Sequence, residues 1–352
     1  MLLGNLLYTL LFTRKAATRG FAGWPAACVA SGVPSKLETD WTDRLMERIT
    51  GAGYGMEGFF RAPCFPEFQA GVQWYLKQKP EKAITVSPRG PRIHAEVIEN
   101  EEPSDLWLIC LHGYTSCPWA NGIIAEGFYA RGFNILLPHL CGHGDSEDSF
   151  VSMGWLDRLD VRAWADFLIR AYGNPRIVLY GASMGAATAM MATGEALPRN
   201  VACAIADCGF TSLWDLLYGV AATALPGALT TAGLHSLDAA TRLRAGFSIK
   251  DASCVEQVKK SKTPTLFIHG DADRGVPPWM QQTLYDAAAC EKEMLLVPGA
   301  GHAEAMYSTD LFYGAIDKFL GRYLSLSIPR SHAIMNQTAE ECGKTARKDL
   351  NR

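Results

Sequence analysis

Residues 176–190 read RIVLYGASMGAATAM, and the part that could do chemistry is Gly181-Ala182-Ser183-Met184-Gly185. A serine with glycine two positions away on either side, lying between an apolar strand pattern and an Ala/Met-rich helical pattern, predicts a sharp strand-to-helix turn. The glycines permit close approach of neighbouring segments. The helix that follows aims its free N–H groups at developing negative charge. That arrangement suits a serine hydroxyl attacking an acyl carbon, provided a histidine is present to take its proton. The five-residue pattern is weak by itself; its strand–turn–helix setting strengthens it.

Chain order narrows the choice of partners. In sheets built around such a turn the serine is followed by an acid and then by a histidine. Downstream, PTLFIHGDADRGVP offers Asp271 and Asp273 just past one strand pattern, and VPGAGHAEA offers His302 just past the next. Both are loop positions at the carboxyl ends of strands, where parallel sheets build their sites. His269 lies inside an apolar run and reads as a core histidine, His235 precedes the acids, and His332 lies near the C-terminus. Only His302 has the required order and place. Upstream, Leu111-His112-Gly113-Tyr114 follows another strand. The backbone N–H groups of Tyr114 and Met184 are the expected oxyanion donors, each typically worth about 3 kcal/mol in a transition state. His112 is expected to brace that loop rather than to act as base.

These residues need a scaffold, and the apolar runs supply one. Residues 82–86 and 92–98 read as a hairpin across a Ser-Pro-Arg-Gly-Pro turn. Strands are expected at 106–111, 134–138, 176–181, 201–207, 265–270 and 293–298, with helices at 155–172, 184–197, 279–290 and 310–324. Strands with little polar alternation, separated by helices, imply a mostly parallel central sheet with helices on both faces, an α/β fold. Residues 210–250 break this rhythm and are too apolar for a disordered loop, so a helical cap insertion is expected there. The division is then a helical lead-in at 1–80, the main domain at 81–325 and a polar C-terminal tail at 326–352.

Composition excludes some functions. The chain has 352 residues and a net charge of -3, with no basic stripe to neutralise a phosphate backbone, so a nucleic-acid partner is not expected. The ten cysteines show no C-x-x-C pair, so no metal site or redox motif is expected, and the thiols read as buried small hydrophobes in a reducing, cytoplasmic setting. Leu2, Leu3, Leu6, Leu7, Leu10 and Leu11 recur at helical spacing, and Arg14, Lys15 and Arg19 follow. A helix docked on the domain is the first expectation. An interfacial helix giving peripheral membrane contact is the alternative.

The segments LHGYTS (111–116), GHGDSE (142–147), GWLDRLDVRAW (154–164), YGASMGAATAMMATGEALP (180–198), IADCGFTSLWD (205–215), TPTLFIHGDADRGVP (263–277) and LLVPGAGHAEA (295–305) together resemble the α/β-hydrolase superfamily. Within it they are similar to the bacterial YqkD-like and BEM46-like hydrolases, from about residue 80 to 325. The resemblance implies an α/β-hydrolase fold and a serine hydrolase needing no cofactor, and its G-x-x-D-x-x-V-P pattern puts the acid on Asp273 rather than Asp271. One departure is Pro138-His139-Leu140-Cys141, where that family commonly has proline-aspartate-x-arginine. The loop lies beside the oxyanion strand, so the fit of substrate is expected to differ.

The expected activity is cleavage of a small carboxylic ester, with Trp214, Leu217 and Tyr218 of the cap as pocket wall. The alternatives are a peptidase, for which Asp215 is the one carboxylate available to hold a substrate N-terminus, and a lysophospholipase using the N-terminal helix. A non-catalytic binding protein is the reading from a different class.

Overall fold

The computed structural model describes residues 2–13 and 64–324. The expected tail at 326–352 and residues 14–63 of the expected lead-in lie outside them. In chain order the elements are α1 (Leu2–Phe12), α2 (Phe65–Gln78), β1 (Glu81–Val86), β2 (Arg92–Ile98), β3 (Leu106–Leu111), a short 3-10 turn, α3 (Gly122–Tyr129), β4 (Asn134–Pro138) and α4 (Asp157–Tyr172). Then follow β5 (Arg176–Ala182), α5 (Met184–Thr193), β6 (Val201–Asp207), α6 (Leu213–Ala222), α7 (Gly227–Ala245), α8 (Cys254–Val258), β7 (Thr265–Gly270), α9 (Trp279–Ala287), β8 (Lys292–Val297), a second 3-10 turn and α10 (Thr309–Leu324).

The eight strands form one sheet in the order β1-β2-β4-β3-β5-β6-β7-β8. β2 runs antiparallel to both β1 and β4, and every other pairing is parallel. The connections leaving β3 and β5 diverge to opposite sides, which makes their carboxyl ends a topological switch point where a crevice opens. The residues expected to carry chemistry, Ser183, Asp273 and His302, follow strands at this edge.

Strand β3 shows why the sheet is buried on both sides. All six residues of LWLICL are buried. Trp107, Ile109 and Leu111 join one apolar cluster, with α4, α5 and α9, while Leu106, Leu108 and Cys110 join the other, with α2, α3 and α10. Burying each such side chain contributes about 1.5–3 kcal/mol. This is why the strand patterns lack polar alternation.

Helices α6 and α7 occupy the interval expected for a cap. Their roots are tied together by a bridge between Ser212 and Ser253, with Leu213 N–H donating to Ala252 O and Val255 N–H to Thr211 O. The excursion therefore leaves and rejoins the sheet at one point, just beyond the carboxyl end of β6.

Helix α1 docks on this excursion, but not by the leucine stripe that its spacing suggests. The buried face is Gly4, Tyr8 and Phe12, with Leu7 and Leu11 partly covered, while Leu2, Leu3 and Leu6 are exposed. The reason is steric. A Cβ on Gly4 would overlap the Ser236 carbonyl, so glycine allows the two backbones to meet, and the aromatic rings then fill the contact. Arg244 stacks on Tyr8, and Phe12 O accepts from Val151 N–H. Among the described residues no helix is long and apolar enough to cross a membrane.

The excursion between β4 and α4 is held by buried charge. Arg89 makes ion pairs to Asp148 at 2.9 Å and Asp160 at 2.7 Å, and all three side chains are largely out of water. Ser87 adds a hydroxyl to Asp160. Asp157 accepts from the backbone N–H groups of Cys141 and Gly154. Arg89→Met would leave two buried carboxylates without their cation, which is costly because removing one partner strands the other. We expect urea unfolding of that variant to show a loss of about 3–5 kcal/mol; a change below 1 kcal/mol would contradict this view of the loop.

Candidate active site

Ser183 connects β5 to α5 with φ 56° and ψ -116°, a left-handed backbone rare for a residue with a side chain. Holding it there costs on the order of 1–3 kcal/mol, so the surroundings must clamp it. They do so from two sides: Ser183 N–H donates to Asp207 O at 2.9 Å, and Ser183 O accepts from Ala187 N–H at 3.0 Å. The flanking glycines are needed for approach. A Cβ on Gly181 would overlap the Gly185 carbonyl, and one on Gly185 would overlap that of Leu111.

His302 follows β8, in a loop where Gly301 N–H donates to Glu304 and Ala303 takes φ 56°. Its Nε2 lies 2.9 Å from Ser183 Oγ and its Nδ1 lies 2.7 Å from Asp273 Oδ2. The structure thus brings together three side chains separated by up to 119 residues. Asp271, left open by spacing alone, points elsewhere and accepts from Gly299 N–H at 2.6 Å.

Asp273 has no exposed side-chain surface, yet its carboxylate is well supplied with donors. Oδ1 accepts from Gly275 and Val276 N–H, each at 2.8 Å. Oδ2 faces His302 at 2.7 Å and His269 Nε2 at 3.2 Å. Burial alone would raise its pKa, but the hydrogen bonds from His269, His302 and Val276 hold it far below the usual carboxylate range. For His302 burial disfavours the charged ring, but Cys208 and then Asp273 outweigh that, so the imidazole is raised well above its ordinary value.

Sequence reasoning missed three residues here. His269 was expected to be a core histidine; it is fully buried, but Nε2 also reaches Val276 O at 2.8 Å and the acid itself. Because Val276 O can only accept, Nε2 carries the ring proton and donates. Asp207 is fully buried beneath the serine turn, accepts from Tyr180 OH at 3.1 Å, and is pushed up to about 6 by burial. Cys208, expected to be a plain small hydrophobe, brings its sulfur within 4.8 Å of a His302 ring nitrogen and an Asp273 oxygen. Its polar surroundings become visible only when β6, β7 and β8 lie side by side.

The expected oxyanion elements lie at the same edge. A Cβ on Gly113 would sit 3.8 Å from Ser183 Cβ, which puts the Gly113–Tyr114 segment beside the serine, and Met184 is the first residue of α5. His112 braces this loop: Nδ1 donates to Gly113 O at 2.8 Å and Nε2 accepts from Leu140 N–H at 3.2 Å. Tyr114 OH donates to Leu11 O at 2.8 Å, tying the loop to α1. His139 closes the departing loop by accepting from Asp145 N–H at 3.1 Å.

The three cap residues lie on α6. Trp214 packs on the His235 ring at 5.2 Å and beneath the Lys250 ammonium at 4.6 Å, Leu217 is half-buried, and Tyr218 is exposed. Asp215 accepts from Thr211 Oγ1 at 2.8 Å in the first turn of the same helix.

Comparison with known proteins agrees with this architecture. A family model described as alpha/beta hydrolase fold matches residues 107–232. The chain is 27% identical to the uncharacterized protein YqkD of Bacillus subtilis over 210 residues, 59% of this chain and 67% of that protein. It is 25% identical to YfhR of Escherichia coli K12 over 202 residues, 56% of this chain and only 63% of the relative. Among solved structures, an esterase of Pyrococcus furiosus superimposes with a TM-score of 0.57 at 22% identity, covering 71% of this chain and 93% of that one. A puromycin-hydrolyzing peptidase of Mycobacterium tuberculosis gives 0.53 at 18%, covering 70% and 40%. Likenesses at this identity bear on the fold.

Two measurements probe the cluster directly. A raised imidazole stays protonated to higher pH, so an NMR titration should place the His302 midpoint above about 6.5, the ordinary value, and Asp273→Asn should bring it down. His269→Leu removes a donor to Asp273, leaves more of the carboxylate's charge for the imidazolium, and should raise that midpoint further while leaving the fold intact by circular dichroism. An unmoved midpoint would mean that His269 fills space and no more.

Proposed function

The chain has the α/β-hydrolase fold, and from that premise we propose that it is a serine hydrolase cleaving carboxylic esters through an acyl-enzyme. The observation that carries this reading is the unbroken run of hydrogen bonds from Ser183 Oγ through His302 to Asp273. In the forward step Ser183 Oγ attacks the ester carbonyl carbon while His302 Nε2 takes its proton. Asp273 keeps the ring's other proton on Nδ1 and stabilises the imidazolium. The N–H groups of Tyr114 and Met184 receive the oxyanion. His302 then protonates the leaving alkoxide, and a water molecule, activated by the same imidazole, releases the acid.

The half-buried Leu217 and the exposed Tyr218 would form the wall met by the acyl or alcohol group, with Trp214 supporting them from within the cap. An ester is favoured over a peptide because Asp215, the carboxylate considered for holding a substrate N-terminus, already accepts from the Thr211 hydroxyl.

A fluorophosphonate probe should label the native chain and fail to label Ser183→Ala. Hydrolysis of p-nitrophenyl esters should fall by about 10⁴-fold or more in Ser183→Ala and by about 10⁴-fold in Asp273→Asn. Turnover of aminoacyl-anilides faster than of p-nitrophenyl acetate would replace the esterase reading with the peptidase one. A native chain inert to the probe would end both.

A further inference from the structure

We propose that Cys208, Asp273 and His302 form a binding site for a thiophilic divalent cation of the zinc type, and that its occupation switches off the hydrolytic site. The second half of this proposal rests on the hydrolase reading; the first does not.

The three residues end three adjacent strands: Cys208 follows β6, Asp273 follows β7 and His302 follows β8. One sulfur, one carboxylate oxygen and one ring nitrogen lie within 4.8 Å of one another. Zinc binds sulfur at about 2.3 Å and nitrogen or oxygen at about 2.0–2.2 Å, which separates tetrahedral ligands by roughly 3.3–3.7 Å. The sulfur therefore needs to move in by at most about 1.1–1.5 Å, while Asp273 Oδ2 and His302 Nδ1, now 2.7 Å apart, would open slightly if that nitrogen is the ligand. The mixture of donors matters: thiolate and imidazole favour zinc over magnesium or calcium, which prefer oxygen alone.

The thiol is also held in place by its backbone. Cys208 takes φ 49°, a left-handed conformation that a residue with a side chain rarely adopts, and its N–H donates to Ile268 O at 2.9 Å. Its sulfur lies within 4.8 Å of a His302 ring nitrogen and an Asp273 carboxylate oxygen, so it does not pack against hydrocarbon alone. Asp273 and Cys208 are buried, whereas the His302 side chain is 30% exposed, so an ion would arrive over the imidazole. A thiolate and a carboxylate together neutralise a dication, so the occupied site carries no net charge into a poorly solvated place.

The chemistry balances without a further reactant. Binding displaces the thiol proton to solvent and forms the metal–sulfur bond. Where Nδ1 is the ring ligand, the ring proton moves to Nε2, and that nitrogen can no longer accept from Ser183. Where Nε2 is the ligand, its lone pair is engaged by the metal. In either case the base is lost, and chelation of the ion restores it.

The test uses the full chain, stripped of metal and titrated with zinc chloride by calorimetry. The native chain and Ser183→Ala should each bind one ion at this site, because the serine is not a required ligand. Cys208→Ser and Cys208→Gly, the second suited to the left-handed backbone, should each bind at least about tenfold more weakly. Zinc at saturation should reduce p-nitrophenyl ester hydrolysis of the native chain by at least about tenfold, reversed by EDTA, while the Cys208 variants keep most of their own metal-free rate at the same concentration. Equal affinity in native and both variant chains, or no binding by the native chain, overturns the site. Binding that needs Cys208 yet leaves ester hydrolysis unchanged overturns the switch. Cys208-dependent binding in a chain whose metal-free form hydrolyses no ester overturns the hydrolase reading and leaves the cation site standing.

Discussion

The carboxylate of Asp273 is out of contact with water, and a bare charge in that position would cost several kcal/mol. The chain supplies donors in place of water: two backbone N–H groups from the turn at Gly275 and Val276, and two imidazoles, His269 and His302. Each donor is in turn fixed by something else. The turn belongs to the loop leaving β7, His269 is anchored by Val276 O, and His302 is set by the loop leaving β8. The acid's ionisation and the imidazole's orientation are consequently one constraint. The imidazole can aim Nε2 at Ser183 only because Nδ1 is committed to a group that cannot give up its charge.

The serine end obeys a different kind of constraint, of space and not charge. Ser183 reaches the imidazole only from a left-handed backbone, and that turn closes only if Gly181 and Gly185 lack side chains. The clamp comes from β6, whose last residue, Asp207, gives its carbonyl to Ser183 N–H. Thus β5, β6, β7 and β8, neighbours in the sheet, each contribute one part at their carboxyl ends. Parallel pairing makes this convergence possible, because it brings like ends of strands distant in sequence to one edge.

That edge was legible because two periodicities spoke clearly. Continuous apolar runs marked the buried strands, and strands such as 106–111, 134–138, 201–207 and 265–270 begin and end where those runs do. The glycine spacing around Ser183 and the order of an acid and then His302 needed no contact information beyond strand ends, whereas the choice of Asp273 over Asp271 came from the family resemblance. What escaped was whatever depends on lateral neighbours. His269 and Cys208 sit in apolar strings and look like core; the loop that leaves β7 folds back to set Asp273 against His269, and the neighbouring strand ends bring Asp273 and His302 to Cys208. Helix α3 escaped because its apolar residues and glycines carry no polar face for a helical period to show. The leucines of α1 misled because hydropathy counted side chains, whereas docking was decided by the absence of one at Gly4.

Helix α1 links the cap to the loop after β3, which the sheet itself does not join. It packs along α7 of the cap through Gly4 and Tyr8, and at its other end Leu11 O accepts from Tyr114 OH, beside the serine turn. The cap is rooted in the sheet at Ser212 and Ser253, so without α1 its far end would be tied to the loop after β3 by fewer contacts. A helix of eleven residues is marginal by itself in water, and α1 draws its stability from these tertiary contacts. Its order is therefore coupled to theirs: whatever lifts α1 loosens the Tyr114 loop and the cap together, and whatever fixes that loop favours the docked helix. An amphipathic reading of the same eleven residues, confined to hydrophobic periodicity, describes a helix seeking a surface; the contacts describe a strut between α7 and the loop after β3.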